Sequence, residues 1–211
     1  MRRSHLLIAV LVVGLTSSCK ESAKVKARES VAVANAEPEA PPPPGTTRYR
    51  FSNQGSQVQF VGAKITGKHE GSFKTFAGTI LISGSAPLQG GVQVTIETSS
   101  VEVEPASLAQ QLRSPDFFDA PRFPKATFVS TAVREGGENS ATHTVTGNLT
   151  LHGVTKAVTF PASIRVGGDN VEVDAQFTIN RKDFGILYPG LPDDLIKDDV
   201  LIKLAARAKK T

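Results

Sequence analysis

Reactive and metal-binding side chains are scarce in this sequence, which excludes several classes of protein. Cys19 is the only cysteine among the 211 residues, so no intramolecular disulfide can form. The sequence has no His-Glu-x-x-His, Gly-x-Ser-x-Gly, paired-cysteine or phosphate-loop motif. No catalytic or metal-ligand spacing joins His69, His143 and His152. We therefore predict a protein that is not an enzyme and needs no cofactor or metal.

An excess of charge of one sign is also lacking. The chain has 24 basic and 20 acidic side chains, and removal of Arg2 and Arg3 with an N-terminal signal leaves 22 and 20. A nucleic-acid-binding surface needs a strong excess of basic residues, because it must neutralise phosphates. We therefore predict no nucleic-acid partner.

The N-terminal segment has the organisation of an export signal. Two arginines precede an apolar run over residues 6–15, and small residues then lead to Cys19. The run is too short to span a bilayer. The segment resembles a bacterial lipoprotein signal, which implies a signal peptide over residues 1–18 and lipidation of Cys19. Leu15 lies four residues before Cys19 instead of the usual three, so a plain secretory signal cut nearby stays open as the alternative.

Residues 19–46 are rich in Pro, Ala, Glu and Lys and contain no aromatic side chain. Such a composition cannot bury a core and favours an extended spacer. We expect a disordered tether between a lipid anchor in a membrane and the following domain. Because Lys20 follows Cys19, analogy with known lipoprotein sorting favours the outer membrane. The expected location is the periplasmic face of the cell envelope.

Two-residue alternation of apolar and polar side chains dominates the sequence after the tether. Val92, Val94 and Ile96 alternate with polar residues, and the pattern holds over nine residues from Val171 to Ile179. A strand with one wet face requires this period, which a helix does not keep. Further alternating apolar residues are Val58, Phe60, Ile80, Ile82, Val145, Leu149, Leu151, Val158, Phe160, Ile164, Val200, Ile202 and Leu204. The pattern predicts about eight strands.

Short turn-forming stretches separate these strands. Residues 84–91, 135–140 and 167–170 suit antiparallel hairpins and are too short for helical crossovers. Only residues 105–112 resemble a helix. The pattern predicts an all-β domain over residues 47–211, arranged as a meander, a barrel or a sandwich, with one short helix in a connection.

Three longer segments carry specific strings in a fixed order. These are Leu-Arg-Ser-Pro-Asp-Phe-Phe-Asp at 112–119 with Phe-Pro-Lys-Ala-Thr-Phe at 123–128, Gly-Asn-Leu-Thr-Leu-His-Gly-Val-Thr-Lys at 147–156, and Ile-Asn-Arg-Lys-Asp-Phe-Gly-Ile at 179–186. They resemble hallmark segments of the YceI family of lipid-binding proteins, and the resemblance covers residues 49–208. It implies a single antiparallel β-barrel of lipocalin-like shape, with a hydrophobic tunnel that holds a polyisoprenoid or a similar amphiphilic lipid.

The alternation and the resemblance together indicate which side chains face this tunnel. The predicted ligand-binding residues are Phe60, Phe73, Phe76, Ile80, Val94, Ile96, Phe118, Phe128, Leu149, Phe160, Phe177 and Phe184. The expected function is non-enzymatic binding, sequestration or transport of an isoprenoid-like lipid in the bacterial cell envelope. The alternative is a filled barrel without a lipid ligand, acting in envelope stress or protein interaction. The sequence leaves open whether the domain is a monomer or a homodimer.

Several loops receive more local predictions. Phe73 and Phe76 lie in a glycine-flanked stretch that is expected to be flexible and to gate an opening, unless ordinary turn packing holds them. Lys64 and Lys68 lie near the expected tunnel mouth. Arg181 and Asp183 are expected to stabilise their own loop through hydrogen bonds. Residues 152–153 are expected to form a hairpin turn.

Overall fold

Strands form every long element of the fold, because the β-branched and aromatic side chains of the alternating segments pack well on a pleated surface. The computed structural model describes residues 43–84 and 86–211. One α-helix in these residues, α1 (Ala106–Arg113), follows β6, and 3-10 turns cover Thr98–Ser100 and Arg181–Phe184. The strands of the described residues are β1 Thr46–Ser52, β2 Gln57–Lys64, β3 Gly67–Phe73, β4 Phe76–Ser83, β5 Ala86–Glu97, β6 Val101–Val103, β7 Lys125–Glu135, β8 His143–Leu151, β9 Val154–Gly167, β10 Asn170–Asn180, β11 Gly190–Leu191, β12 Asp194–Leu195 and β13 Asp199–Lys210.

Eight strands close on themselves into a barrel. Their order is β1, β4, β5, β7, β8, β9, β10 and β13, with neighbouring strands antiparallel. β13 then pairs with β1, where Tyr49 lies opposite Lys210 and Arg50 lies opposite Lys209. Closure removes the exposed edges that an open sheet would have. The predicted all-β fold, a single antiparallel barrel with one short helix, is confirmed.

The two ends of the barrel are built differently. The first half of β13 pairs with β2 instead of β1, and Leu201 lies opposite Val61. β2 pairs with β3, which in turn pairs with the short β6, where Gly71 lies opposite Val103. One end therefore carries the β2–β3 hairpin and α1. The other, which we call the far end, carries the start of β1 and the β9–β10 turn.

The predicted hairpin turn at residues 152–153 is confirmed. His152 and Gly153 join β8 to β9 with φ angles of 51° and 75°. Positive φ at both positions of a two-residue hairpin is the signature of a type I′ turn, whose twist matches that of the strands. The predicted helix is also confirmed, because α1 covers residues 106–113, a shift of one residue from the expected 105–112.

Two local predictions were wrong. Residues 84–91 mostly belong to β5, because the chain re-enters the sheet at Ala86, which lies opposite Ser83. For the glycine-flanked stretch around Phe73 and Phe76, the flexible gate was wrong and the alternative, packing at an ordinary turn, fits the structure. β3 ends at Phe73, β4 begins at Phe76, and strand pairing holds both segments.

The barrel begins at Thr46, one residue before the predicted start of the domain, and the described residues belong to one compact unit. The predicted signal peptide, the lipidation site Cys19 and nearly all of the tether lie outside the described residues. Within the part of the chain that the structure describes, no helix is long and apolar enough to cross a membrane.

The hydrophobic core is divided into two clusters along the barrel. The cluster towards the far end includes Tyr49 and Val171, and the cluster towards α1 includes Val101 and Phe184. Phe177, which is partly buried, packs against both. Apolar side chains therefore face inwards along the whole barrel.

Candidate functional site

The barrel encloses an apolar cavity of about 470 Å³. Alternate side chains from all eight barrel strands line it, and β2, α1 and residues 186–196 complete the wall at one end. Ligand-binding cavities typically measure roughly 300–1,000 Å³. The interior is therefore not filled by the protein's own side chains, which argues against the filled-barrel alternative.

Ten of the twelve predicted ligand-binding residues line this cavity. They are Phe60, Phe73, Ile80, Val94, Ile96, Phe118, Phe128, Leu149, Phe160 and Phe177. Two-residue alternation located most of them, because every second side chain of a barrel strand faces the interior. Their contact with a ligand stays a prediction.

Phe76 and Phe184 are placed elsewhere. Phe76, at the start of β4, is 5% exposed and packs into the cluster towards the far end without lining the cavity. Phe184 ends a 3-10 turn and is buried in the cluster towards α1, where its carbonyl oxygen contacts His152 Nδ1 at 3.2 Å. Both rings contribute core packing, so the position of Phe76 does not suit a gate.

Aromatic rings form two contiguous groups along the cavity wall. Phe160 and Phe177 stack with centroids 4.1 Å apart, and Phe128 lies 5.7 Å from Phe160. Nearer α1, Phe73 contacts Phe60 at 5.7 Å and Phe118 at 5.6 Å. Such ring pairs stabilise beyond the area they bury and hold one another in place. They give the cavity a wall of ordered aromatic side chains.

Glycines in the strands make room for three of the wall's phenyl rings. A Cβ atom on Gly71 would lie 2.3 Å from Phe60 Cζ, and one on Gly147 would lie 2.3 Å from Phe128 Cζ. A Cβ atom on Gly78 would lie 2.2 Å from Phe51 Cζ. The tip of each ring therefore lies against a neighbouring strand, at a position where a glycine offers no side chain. The arrangement keeps these rings out of the middle of the cavity.

The cavity opens at the end that carries the β2–β3 hairpin. This opening, which we call the mouth, lies between the β2–β3 turn, α1 and the small hairpin of β11 and β12. The exposed lining residues Gln111 and Leu191 and the partly exposed Lys64 lie here. At the far end the lining residues Ile164 and Ala206 are buried. The prediction that Lys64 lies near the mouth is confirmed.

Polar contacts fasten the two hairpins together at the mouth. Lys64 Nζ forms an ion pair with Asp194, and Thr66 donates to the same carboxylate from its backbone N–H at 3.1 Å and its hydroxyl at 3.0 Å. The Ile65 N–H donates to the Leu195 carbonyl at 3.1 Å. The hydrogen bond from Lys64, assisted by those from Thr66, holds the pKa of Asp194 below its ordinary value against the effect of partial burial. Asp194 is therefore ionised at neutral pH.

Arg181 holds the segment that crosses the mouth. Its Nη1 donates to the Ile186 carbonyl at 2.7 Å, and its Nε donates to the Lys197 carbonyl at 3.2 Å. Its Nη2 pairs with Asp198 Oδ1 at 3.0 Å. The pKa of Asp198 is lowered, first by the hydrogen bond from Lys182 and to a lesser extent by Arg181. The predicted role of Arg181 in stabilising its loop is confirmed.

The charged side chains and the histidine that line the cavity are engaged with other protein groups. Lys64 pairs with Asp194, Arg181 is bonded as described, and His69 Nδ1 lies 3.1 Å from the carbonyl oxygen of Glu104. Residues 43–84 and 86–211 contain no group of three or more side chains suited to holding a metal. The chemistry that this wall offers is the solvation of an apolar chain, with polar groups concentrated at the mouth.

Sequence reasoning missed part of the wall. The missed lining residues include Phe51, Leu108, Leu112, Tyr188, Leu191 and Ile196. Phe51 was detectable, because Tyr49 and Phe51 alternate with arginines in β1. The others lie in α1 or in residues 186–196, where no two-residue alternation marks a wall-facing side chain.

Curated relatives match most of the chain. The family model described as a YceI-like domain matches residues 49–208. A UPF0312 protein of Pseudomonas putida (strain W619) is 36% identical over 165 residues, which cover 74% of this chain and 84% of the relative. Protein YceI of Salmonella arizonae is 40% identical over 122 residues, which cover 55% of this chain and 62% of the relative.

Solved structures share the fold. The crystal structure of Burkholderia cenocepacia BcnA matches with a TM-score of 0.66 and 29% identity, covering 74% of this chain and 98% of that one. A polyisoprenoid binding domain from Saccharophagus degradans matches with a TM-score of 0.62 at 16% identity, covering 78% and 99%, and at that identity the likeness concerns the fold alone. Both solved chains consist almost entirely of the shared domain, so in those proteins the domain folds without further segments. Because the family model spans nearly the whole barrel, this chain belongs to the YceI-like family.

Proposed function

We propose that this protein binds a polyisoprenoid or a similar long amphiphilic lipid in its barrel and sequesters or transports it without catalysis. The observation that carries the proposal is the apolar cavity of about 470 Å³, which is lined almost entirely by apolar side chains and opens at the mouth. Removing each methylene group from water is worth about 0.8 kcal/mol, so a long isoprenoid chain is strongly driven into such a cavity. The binding activity named for the structurally similar Saccharophagus degradans domain supports the same ligand class.

The proposal also includes a location. An export signal over residues 1–18 and a lipid on Cys19 would anchor the chain on the periplasmic face of the cell envelope, with residues 19–46 as a tether. An apolar lipid needs a protein carrier wherever it must cross an aqueous compartment. The predicted export route therefore suits the proposed ligand.

Native mass spectrometry tests lipid binding directly. The protein is expressed in an exporting bacterial host, purified without detergent, and then offered geranylgeraniol or solanesol, a short and a long isoprenoid alcohol. We expect a lipid to copurify, or one of the two alcohols to bind, in near-stoichiometric amount, and organic extraction identifies a copurified lipid. A protein that carries no lipid and takes up neither alcohol contradicts the proposal and restores the filled-barrel alternative.

Matched tryptophan substitutions locate the ligand. Val94→Trp places a large ring in the cavity, and we expect it to abolish most binding. Val129→Trp is the control, because Val129 is 40% exposed on the neighbouring strand β7. Circular dichroism verifies that both variants keep the β-sheet fold. Equal lipid content in two folded variants would place the ligand outside the barrel.

A further inference from the structure

Four large apolar side chains surround the mouth and are exposed to solvent. Ile65 is 65% exposed, Leu187 63%, Leu191 61% and Leu195 45%. We call these four residues the apolar rim. Among the described residues, the other exposed large apolar side chains are Val129 and Val166, which lie on the barrel wall and at the far end. A cluster of this kind differs from the scattered apolar residues that any protein surface has.

The rim is a built feature that joins the cavity wall. Ile65 and Leu195 are adjacent, because the Ile65 N–H donates to the Leu195 carbonyl at 3.1 Å. Leu191 belongs to β11, which pairs with β12, and it also lines the cavity. Leu187 lies between Ile186 and Tyr188, which both line the cavity. Apolar surface therefore continues from the interior of the barrel to its outer face.

The surroundings of the rim carry no net charge. Residues 62–69 and 181–199 together contain five basic and five acidic side chains. Five of these ten charges form ion pairs with one another, Lys64 with Asp194 and both Arg181 and Lys182 with Asp198. A surface with this balance has no strong attraction for a charged partner. It suits instead an electrically neutral, apolar environment.

We propose that the apolar rim docks on a lipid bilayer and that amphiphiles pass between the bilayer and the cavity at this point, an inference that rests on the proposed lipid-binding function. An amphiphile that leaves a bilayer through water exposes its entire chain, whereas one that passes along inserted leucine and isoleucine side chains does not. The rim therefore provides the apolar route that the cavity needs.

The length of the tether permits this orientation. The chain enters the barrel at the far end, where Thr46 pairs with Ser83 and Tyr49 with Lys210. β13 runs from the mouth to this end and its 12 residues span about 40 Å. The 26 residues from Lys20 to Gly45 reach about 80 Å when extended. A chain anchored through Cys19 thus reaches far enough to lay its mouth on the membrane that holds the anchor.

A tryptophan reporter tests docking, since the chain has no tryptophan of its own. Leu191→Trp labels the rim and Val166→Trp labels the far end, each in residues 41–211 so that no lipid anchor contributes. We mix each variant with phosphatidylcholine vesicles that contain brominated acyl chains. Docking predicts a blue shift and quenching of the rim tryptophan with no change at the far end. Unchanged emission from both variants, or equal quenching of both, overturns the inference.

A second pair of variants separates docking from binding. Ile65→Ser with Leu195→Ser makes the rim polar, and Val129→Ser with Val166→Ser is the matched control at exposed sites elsewhere. We expect the rim variant to retain solanesol loaded in solution, by native mass spectrometry, but to exchange it with phosphatidylcholine vesicles about tenfold more slowly. Equal exchange rates in the two variants overturn the rim inference and leave lipid binding standing. A wild-type chain that holds no lipid overturns both proposals.

Discussion

Single residues set the free space inside the barrel. The phenyl rings of Phe51, Phe60 and Phe128 lie against strands at positions occupied by glycine, and a Cβ atom there would meet each ring at less than 2.5 Å. Because real side chains do not approach so closely, any larger residue displaces the ring towards the cavity. The glycines thus act on the volume available to a ligand without touching the ligand themselves.

The substitution Gly147→Ala tests this role. We expect it to push Phe128 into the cavity, to lower the free energy of unfolding by about 1–3 kcal/mol and to reduce the amount of bound lipid. Gly62→Ala is the control, because a Cβ atom there has no neighbour within 4 Å and alanine restricts the unfolded chain. Urea unfolding compares the two. A Gly147→Ala protein as stable as the control contradicts the explanation.

At the scale of elements, two short hairpins and one loop form the mouth, and polar contacts hold them. The β2–β3 turn is joined to β12 by the Lys64–Asp194 ion pair and by a backbone hydrogen bond. Arg181 holds the following segment through carbonyl oxygens on both sides of it. The hairpin of β11 and β12 has little regular pairing of its own, since each strand contains two residues. Its stability therefore depends on these named side chains.

The ion pair predicts a pH dependence at the mouth. The pKa of Asp194 is lowered in the folded protein, so its stabilising contribution is present above the unfolded value of about 4 and is lost as pH falls through the folded pKa. We expect the amide protection factor of Ile65 in hydrogen exchange to decline in that acid range. Asp194→Asn should lower protection already at neutral pH and remove most of this dependence.

Asp169→Asn is the control for that experiment, because Asp169 pairs with Lys210 at the far end at 3.9 Å. Its protection profile at Ile65 should match that of the wild type. A wild-type profile that stays flat through the acid range, once the intrinsic exchange rate is removed, is the result that contradicts the role of Asp194.

We expect substitution of Arg181 to have a larger effect on the stability of the fold, because its side chain is only 5% exposed. Lysine cannot reproduce its planar fork of donors, so Arg181→Lys leaves buried carbonyl groups without partners. We expect a loss of about 2–4 kcal/mol in the free energy of unfolding. Arg165→Lys is the control, because the Arg165 side chain is 60% exposed. Its surface ion pairs should contribute less than about 1 kcal/mol to the free energy of unfolding. Equal losses in thermal and urea unfolding contradict the assigned role.

At the scale of the whole molecule, the two ends of the barrel differ in structure. The chain enters at the far end, and the cavity opens at the other end beside the apolar rim. With the proposed anchor on Cys19, this places the full length of the barrel between the entry point of the tether and the mouth. The tether then determines which membranes the mouth can reach.

Anchoring through Cys19 predicts a specific modification. Growth with labelled palmitate should label the full chain in an exporting host and place it in the membrane fraction, because the lipid anchors it. Cys19→Ala should lose the label and release the protein, whereas Ser18→Ala is the control and should keep both properties. An unlabelled wild-type protein found only in the soluble fraction supports the alternative of a plain secretory signal.

Much of this architecture follows from the sequence because strand alternation is a local property. Val92, Val94 and Ile96 face the cavity as their spacing predicts, and so do Phe160 and Phe177. The type I′ turn at residues 152–153 likewise depends on neighbouring residues only. Alternation does not distinguish a wall-facing ring from a packed one, so Phe76 and Phe184 were assigned to the cavity although they belong to the core.

The sequence by itself determined the all-β class, the inward face of most strands and, through three specific segments, the family. Only the tertiary structure decided that the interior stays open, because cavity volume depends on ring positions across strands, such as Phe128 against Gly147. It also decided where the mouth lies. Lys64 and Asp194 are 130 positions apart in the chain, and no local pattern brings such residues together. Long-range pairing around a closed barrel does so, since closure places distant strands side by side.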